Sequence, residues 1–237
     1  GGFPLSYLET SDQDAQEWLK DYVKTFLETD IPGFGLDLNP QKVRKFWMML
    51  AHYHGQIFNA SEISNSLEVN YKTAQHYFDI LQNTFMVRAL QPWFVNIGKR
   101  QVKSSKVYFR DSGLFHALLG VPTEKDLLLH PKIGASFEGL VVEELIKFHQ
   151  ADIWDACFWS THSGAELDLL LFPNTKKIAF EIKYTSTPKV TRSMRQAIED
   201  LQLDKLHIIV PGDAEYPLEE NIWVYGLRKY LEKNIEN

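Results

Sequence analysis

Hydrophobic residues recur at helical spacing through the first half of the chain and at strand spacing through much of the second. Trp18, Tyr22 and Phe26 stand at i, i+4 and i+8 in an acidic stretch, which predicts a helix over 14–27. Pro32, Gly33, Gly35 and Pro40 then mark a loop. From Lys42 the pattern predicts three helices. Val43, Phe46, Trp47, Leu50 and Ala51 share one face of the first, and Ile63 and Leu67 point inward from the second, with Asn59 or Ser61 able to cap it. Ala74, Tyr77, Phe78 and Leu81 line the third, over 71–81. The β-forming stretches 85–90 and 106–109 predict two strands, joined by a polar, basic loop over 96–105. Helix, tight turn, longer helix and a strand pair with a basic tip make the pattern of a winged helix.

A new segment begins at Asp111. Leu114, Phe115, Leu118 and Leu119 predict a short helix, followed by a connector over 126–130 and a longer helix over 134–150. Strands are expected at 156–160, 165–172 and 177–184, then a helix at 192–201, strands at 205–210 and 222–225, and a last helix at 227–233. The reading is therefore an α/β (α+β) chain in three parts. A helical connector spans 1–40, a winged helix 41–110, and a mixed-sheet domain 111–237. There is no internal repeat and no low-complexity segment.

Charge sharpens this picture. The net charge is −6, yet residues 41–110 hold ten Lys and Arg against three Asp and Glu, so that segment carries +7 and the rest −13. A basic segment in an acidic chain suits a polyanion partner. In that reading Lys72, Thr73, Gln75 and His76 face a DNA major groove, while Lys99, Arg100 and Lys103 meet phosphates. Winged helices also serve as protein–protein connectors, and both readings stay open. No apolar run approaches the roughly 18 residues of a membrane span. The single cysteine, Cys157, excludes an internal disulfide and argues against a cysteine-based zinc site. A reducing, cytoplasmic setting is expected. The opening Gly1-Gly2-Phe3-Pro4 has no initiator Met and reads as the cut end of a longer protein.

Strand parity points to the chemistry. In 165–172, Leu167, Leu169 and Leu171 alternate with Glu166, Asp168 and Leu170; in 177–184, Ile178, Phe180 and Ile182 alternate with Glu181 and Lys183. Two adjacent strands can therefore converge Asp168, Glu181 and Lys183 on one spot, and Glu138 on the preceding helix can reach it. Charges in an apolar strand are costly unless paired or bound to metal. Carboxylates of this kind suit a hard divalent cation such as Mg²⁺ or Mn²⁺. The plainer reading makes Glu181 and Lys183 a solvent-facing pair and Asp168 a surface acid. His149, His162 and His207 are scattered, and Ser160, His162 and Ser163 lack a nucleophile-elbow motif. Arg192, Arg195 and Gln196 suit a solvated helix face better than a DNA contact.

Asp168 followed by Glu181-Ile182-Lys183 resembles the core of PD-(D/E)XK nucleases, with Glu138 where these enzymes often place a helical acid. The whole chain further resembles the uncharacterised C-terminal region (domain of unknown function 4143) of a group of prokaryotic AAA-family ATPases. The pieces that carry this are Gly1-Gly2-Phe3-Pro4, Tyr77-Phe78-Asp79-Ile80-Leu81, 106–114, 134–141 and Gly164-Ala165-Glu166-Leu167-Asp168. The resemblance implies a restriction-endonuclease-like fold. It implies Asp168 and Glu181 as metal ligands, Lys183 as assistant to the attacking water, and Glu138 as support. Leu167 departs from the signature's proline. The chain has no phosphate-binding Gly-x-x-x-x-Gly-Lys-Ser/Thr loop, so ATP would be handled by an AAA module in cis, N-terminal to these residues. DNA is the expected partner. The alternative is a non-catalytic module that binds DNA or protein and regulates the ATPase.

Overall fold

The structure is a computed structural model, and it describes residues 2–34, 38–93, 104–173 and 176–234. It is a mixed α/β chain that divides into two compact units, Gly1–Ala89 with Val107–Ser136, and Leu90–Lys106 with Phe137–Asn237.

The first unit opens with the short helix α1 (Pro4–Tyr7) and the longer α2 (Asp12–Thr25). The Ser11 hydroxyl caps α2 by accepting the Asp14 N–H at 3.2 Å, and Asp12 and Asp14 complement the dipole in the first turn. Trp18, Tyr22 and Phe26 stack in succession, with centroids 5.3 and 6.3 Å apart. The helix does not stop at Phe26 but runs through a π-turn (Phe26–Asp30) into α3 (Ile31–Gly33). In α4 (Pro40–His52), Asn39 caps and Pro40 takes the first turn, where its missing N–H costs nothing. Val43, Phe46, Trp47, Leu50 and Ala51 are buried, as helical spacing requires.

A two-residue strand, β1 (Gln56–Ile57), precedes α5 (Ala60–Leu67), whose cap is Asn59 rather than Ser61. Glu68, in the left-handed conformation at φ 53°, ends α5, and Asn70 caps α6 (Tyr71–Asn83) at once. Strand β3 (Lys106–Phe109) lies between β1 and β2 (Val87–Pro92). Helix α7 (Ser112–Leu119) is capped by Asp111, whose carboxylate also accepts the Gly2 and Phe3 N–H groups. One core runs from Leu19 in α2 to Leu118 in α7, so residues expected to divide at 40 and at 110 share it. Buried His54 accepts the Phe109 N–H at 3.0 Å and stacks on Phe115 at 4.0 Å. Helices α8 (Glu124–Leu129) and the start of α9 (Ile133–Phe148) complete this unit.

In the second unit, strands β4 (Ala156–Ser160), β5 (Glu166–Leu171) and β6 (Ile178–Ile182) form an antiparallel run. The end of β2 adds to it in parallel, Gln91 opposite Cys157. Helix α10 (Arg192–Leu201), capped by Thr191, returns the chain to β7 (Leu206–Val210), which pairs in parallel with β6. Strand β8 (Glu215–Glu219) forms an edge beyond β9 (Ile222–Gly226), and α11 (Leu227–Asn234) follows. The pattern did not predict β8. Pro217 interrupts it, and an edge strand tolerates the missing donor. Met194, Ala197 and Leu201 of α10 pack into the core with Leu167, Leu170, Ala179 and Leu206.

That core exposes a departure from simple alternation. Cys157 pairs with Leu170 but Trp159 pairs with Leu167, so β5 carries an extra residue, a bulge, across Asp168 and Leu169. Leu167 and Leu170, expected on opposite faces, therefore enter the same core. Among the described residues no helix is long and apolar enough to cross a membrane.

At the junction of β9 and α11 only glycine fits at 226, because a Cβ there would stand 1.8 Å from the Gly212 carbonyl oxygen. Gly226→Ala is expected to lower stability by about 1–3 kcal/mol or more, the range for forced overpacking. Urea denaturation measures it, and an unchanged midpoint would contradict the clash.

Candidate functional site

Asp168 sits at the β5 bulge. The β5–β6 register, Leu169 opposite Phe180 and Leu170 opposite Ala179, extends by one residue to set Asp168 across from Glu181. Asp168 Oδ2 accepts the Ile182 N–H at 2.8 Å, so the side chain takes over a backbone donor at the end of β6. Glu181 and Lys183 share a face two residues apart, and Lys183 Nζ lies 2.7 Å from Glu181 Oε1. Asp168 and Glu181 are both buried, while the Lys183 side chain is 41% exposed. Asp168, Glu181 and Lys183 are therefore neighbours, as strand parity anticipated, although the bulge intervenes.

Glu138, near the start of α9 within this unit, reaches the cluster through a residue that the pattern did not single out. Lys106, the first residue of β3, is 3% exposed. Its ammonium pairs with Glu166 and lies 3.6 Å from Asp168 Oδ1 and 3.7 Å from Glu138 Oε1. It also stands 5.5 Å from the Phe158 ring centroid. The missed signal was a lysine opening the otherwise apolar strand Lys106-Val107-Tyr108-Phe109, where an unpaired charge is costly.

The electrostatics follow from this packing. Burial alone pulls the Lys106 ammonium down, but Asp168, Glu138 and Glu166 outweigh it and hold the group above the ordinary lysine value. Lys183 is held up in the same way, with Asp168 and Glu181 overcoming burial. Glu181 moves the other way: burial, reinforced by the Asp168 charge, pushes its carboxyl up to about 8 against the pull of Lys183 and Lys106. Its Oε2 atom is buried and accepts no hydrogen bond. An oxygen left in that state is a place for a proton or a cation.

Among the described residues no three His, Cys, Asp or Glu side chains make a ready metal cage. The set fits instead a Mg²⁺-type site, which takes one or two carboxylates and completes its shell with water or substrate. Glu181, with its open oxygen, and Asp168 are the carboxylates that could hold such an ion.

The remaining candidates are dispersed. On α6, Lys72 and His76 are exposed, whereas Thr73 bonds Asn70 and Gln75 bonds Asp79 at 2.9 Å. Lys99, Arg100 and Lys103 lie outside the described residues. His149 bonds the Tyr230 hydroxyl at 3.0 Å, and burial lowers both it and His207. Ser160 is buried in β4, and Ser163 bonds Thr161. Arg195 pairs with Glu219 at 2.5 Å, and Gln196 donates a hydrogen bond to Asp200. The buried Cys157 thiol, pushed up to about 12 by burial, is inert packing.

With this geometry in hand, comparison with known proteins gives the family. Residues 1–125 match a domain of unknown function, DUF8612, over more than half of the chain. The chain belongs to the DUF8612 family. Residues 133–230, which hold Glu138, Asp168, Glu181 and Lys183, match a second domain of unknown function, DUF4143. The uncharacterised proteins Rv2008c of Mycobacterium tuberculosis and Mb2031c of Mycobacterium bovis are each 44% identical over 222 residues. Those alignments cover 94% of this chain and 50% of each relative, so the chain spans about half their length. No solved structure matches.

The Glu181 carboxyl carries a pH signature. Its value is raised on folding from 4.5 to about 8, so the folded chain binds the extra proton. Stability from this group is full below the unfolded value and is lost as pH rises through the folded one. The melting temperature of wild type relative to Glu181→Gln should therefore fall from about pH 5 to about pH 9. A flat difference would show that Glu181 titrates normally.

Proposed function

We propose that the second unit is a metal-dependent phosphodiesterase module of the PD-(D/E)XK type, joined to a DNA-binding winged helix, and that the chain is the C-terminal part of an AAA-family ATPase. The observation that carries this is the Asp168–Glu181 juxtaposition, with Lys183 beside it and one buried Glu181 oxygen open. Asp168 and Glu181 hold Mg²⁺ or Mn²⁺, which supplies charge neutralisation at the phosphate and acidifies water when bound. Lys183, half-exposed and kept protonated, orients the attacking water or meets developing charge on the phosphate. Glu138 steadies the cluster through Lys106. The match of 133–230 to DUF4143 and the greater length of the relatives support an ATPase module in cis.

One observation favours a second reading. Lys106 already faces Asp168, Glu138 and Glu166, which suits a non-catalytic module that grips DNA or a protein and regulates the ATPase. A Mg²⁺- or Mn²⁺-dependent nuclease assay separates the two. Asp168→Ala and Lys183→Ala should each reduce cleavage at least 100-fold, in the range of lost acid–base or electrostatic assistance. Equal activity in wild type and both variants would sink the catalytic reading.

On the first unit, Lys72 on α6 is exposed, which supports its proposed role at a DNA major groove. DNA affinity should fall with salt, and Lys72→Ala, at the groove, should weaken binding. The double change Lys99→Ala/Arg100→Ala should weaken binding further. Binding that ignores salt would rule out the DNA role.

A further inference from the structure

We infer that the Lys106 ammonium stands in for a second cation, so that the carboxylate cluster accepts one divalent ion, on its Glu181 side. The inference rests on the metal reading above and adds the number of ions and the residue that sets it.

The acids divide into two groups. Glu138 and Glu166 face Lys106, whereas Glu181 faces Lys183 through Oε1 and keeps Oε2 open. Asp168 joins them, with Oδ1 3.6 Å from Lys106 Nζ and Oδ2 bound to the Ile182 N–H. Carboxylate pairs that hold two metals place them roughly 3.5–4 Å apart. A second ion lodged among Glu138, Glu166 and Asp168 would meet an ammonium already there. Like charges at that distance in a desolvated site repel strongly. Lys106 is nearly fully buried and lies over the Phe158 ring, so it does not reach solvent without leaving its strand position.

Charge counting agrees. Among the described residues, Glu138, Glu166, Asp168 and Glu181 bring four negative charges when ionised, and Lys106 and Lys183 return two. The remainder complements one divalent cation. Without Lys106 the cluster has charge for more than one.

Mn²⁺ titration of the full chain, by calorimetry and by electron paramagnetic resonance, tests this. Wild type should bind one ion per chain, and Glu181→Gln or Asp168→Asn should weaken it at least tenfold. Lys106→Met should bind two. Should Lys106→Met fold poorly without metal, its thermal unfolding with and without Mn²⁺ answers the same question. Rescue by Mn²⁺ supports the inference, and absence of rescue overturns it. Glu166→Gln, which touches only the Lys106 side, should still bind one ion. Two ions in wild type, or one in Lys106→Met, overturns the role of Lys106 alone. No Mn²⁺ on wild type overturns the metal reading and this inference with it.

Discussion

A lysine ammonium at 3% exposure has lost almost all of its water, and several kcal/mol of desolvation must be offset by protein charge. In the second unit that charge comes from Glu138 on α9 and from Glu166 and Asp168 on β5. These contacts tie the first residue of β3 to a helix and to a central strand. Asp168 then spends its other oxygen on the Ile182 N–H, which fixes the end of β6 against β5. Glu181 is left buried beside Asp168, with the Lys183 ammonium 2.7 Å from its Oε1 atom. The raised Glu181 carboxyl and its open oxygen are consequences of that order of contacts rather than separate features.

The first unit is held by different physics. Helices α2, α4, α5, α6, α7 and α8 begin where a side chain can accept an orphan N–H: Ser11, Asn39, Asn59, Asn70, Asp111 and Thr123 each do so. Between the caps, apolar residues at helical spacing meet in one core of Phe46, Trp47, Ile63, Phe78, Leu81 and Phe115. His54 belongs to that core. Burial lowers it to about 3, so it stays neutral and serves as a hydrogen-bond acceptor for the Phe109 N–H. Local preference and core packing agree here, as they do in sequences that specify one fold.

Legibility followed the range of the physics. Helix caps act over three residues and helical faces over one or two turns, so α2, α4, α5, α6 and α10 were readable to within a few residues. The π-turn after Phe26 was not, because the Trp18, Tyr22 and Phe26 stripe ends there and its next position is the polar Asp30. Strand parity correctly joined Glu181 and Lys183 but put Leu167 and Leu170 on opposite faces. One extra residue in β5 reverses alternation, and it shows only in the partner strand. The short strand β1 and the edge strand β8, broken by Pro217, carry too few alternating positions to register.

By itself the sequence determined the longer helices and the shared face of Glu181 and Lys183, since each depends on neighbours within a few residues; the region read as a connector over 126–130 is instead the helix α8. The sequence also placed a carboxylate at 168 in a strand where an unpaired charge is costly, which implied a partner without naming one. Only the tertiary structure supplied Lys106. That lysine and its acids come from β3, α9 and β5, and nothing in local spacing links them. The bulge at Asp168 and Leu169 is likewise a property of two paired strands. Partners far apart along the chain meet through long-range pairing, and burial then turns their charges from solvated surface groups into a coupled cluster.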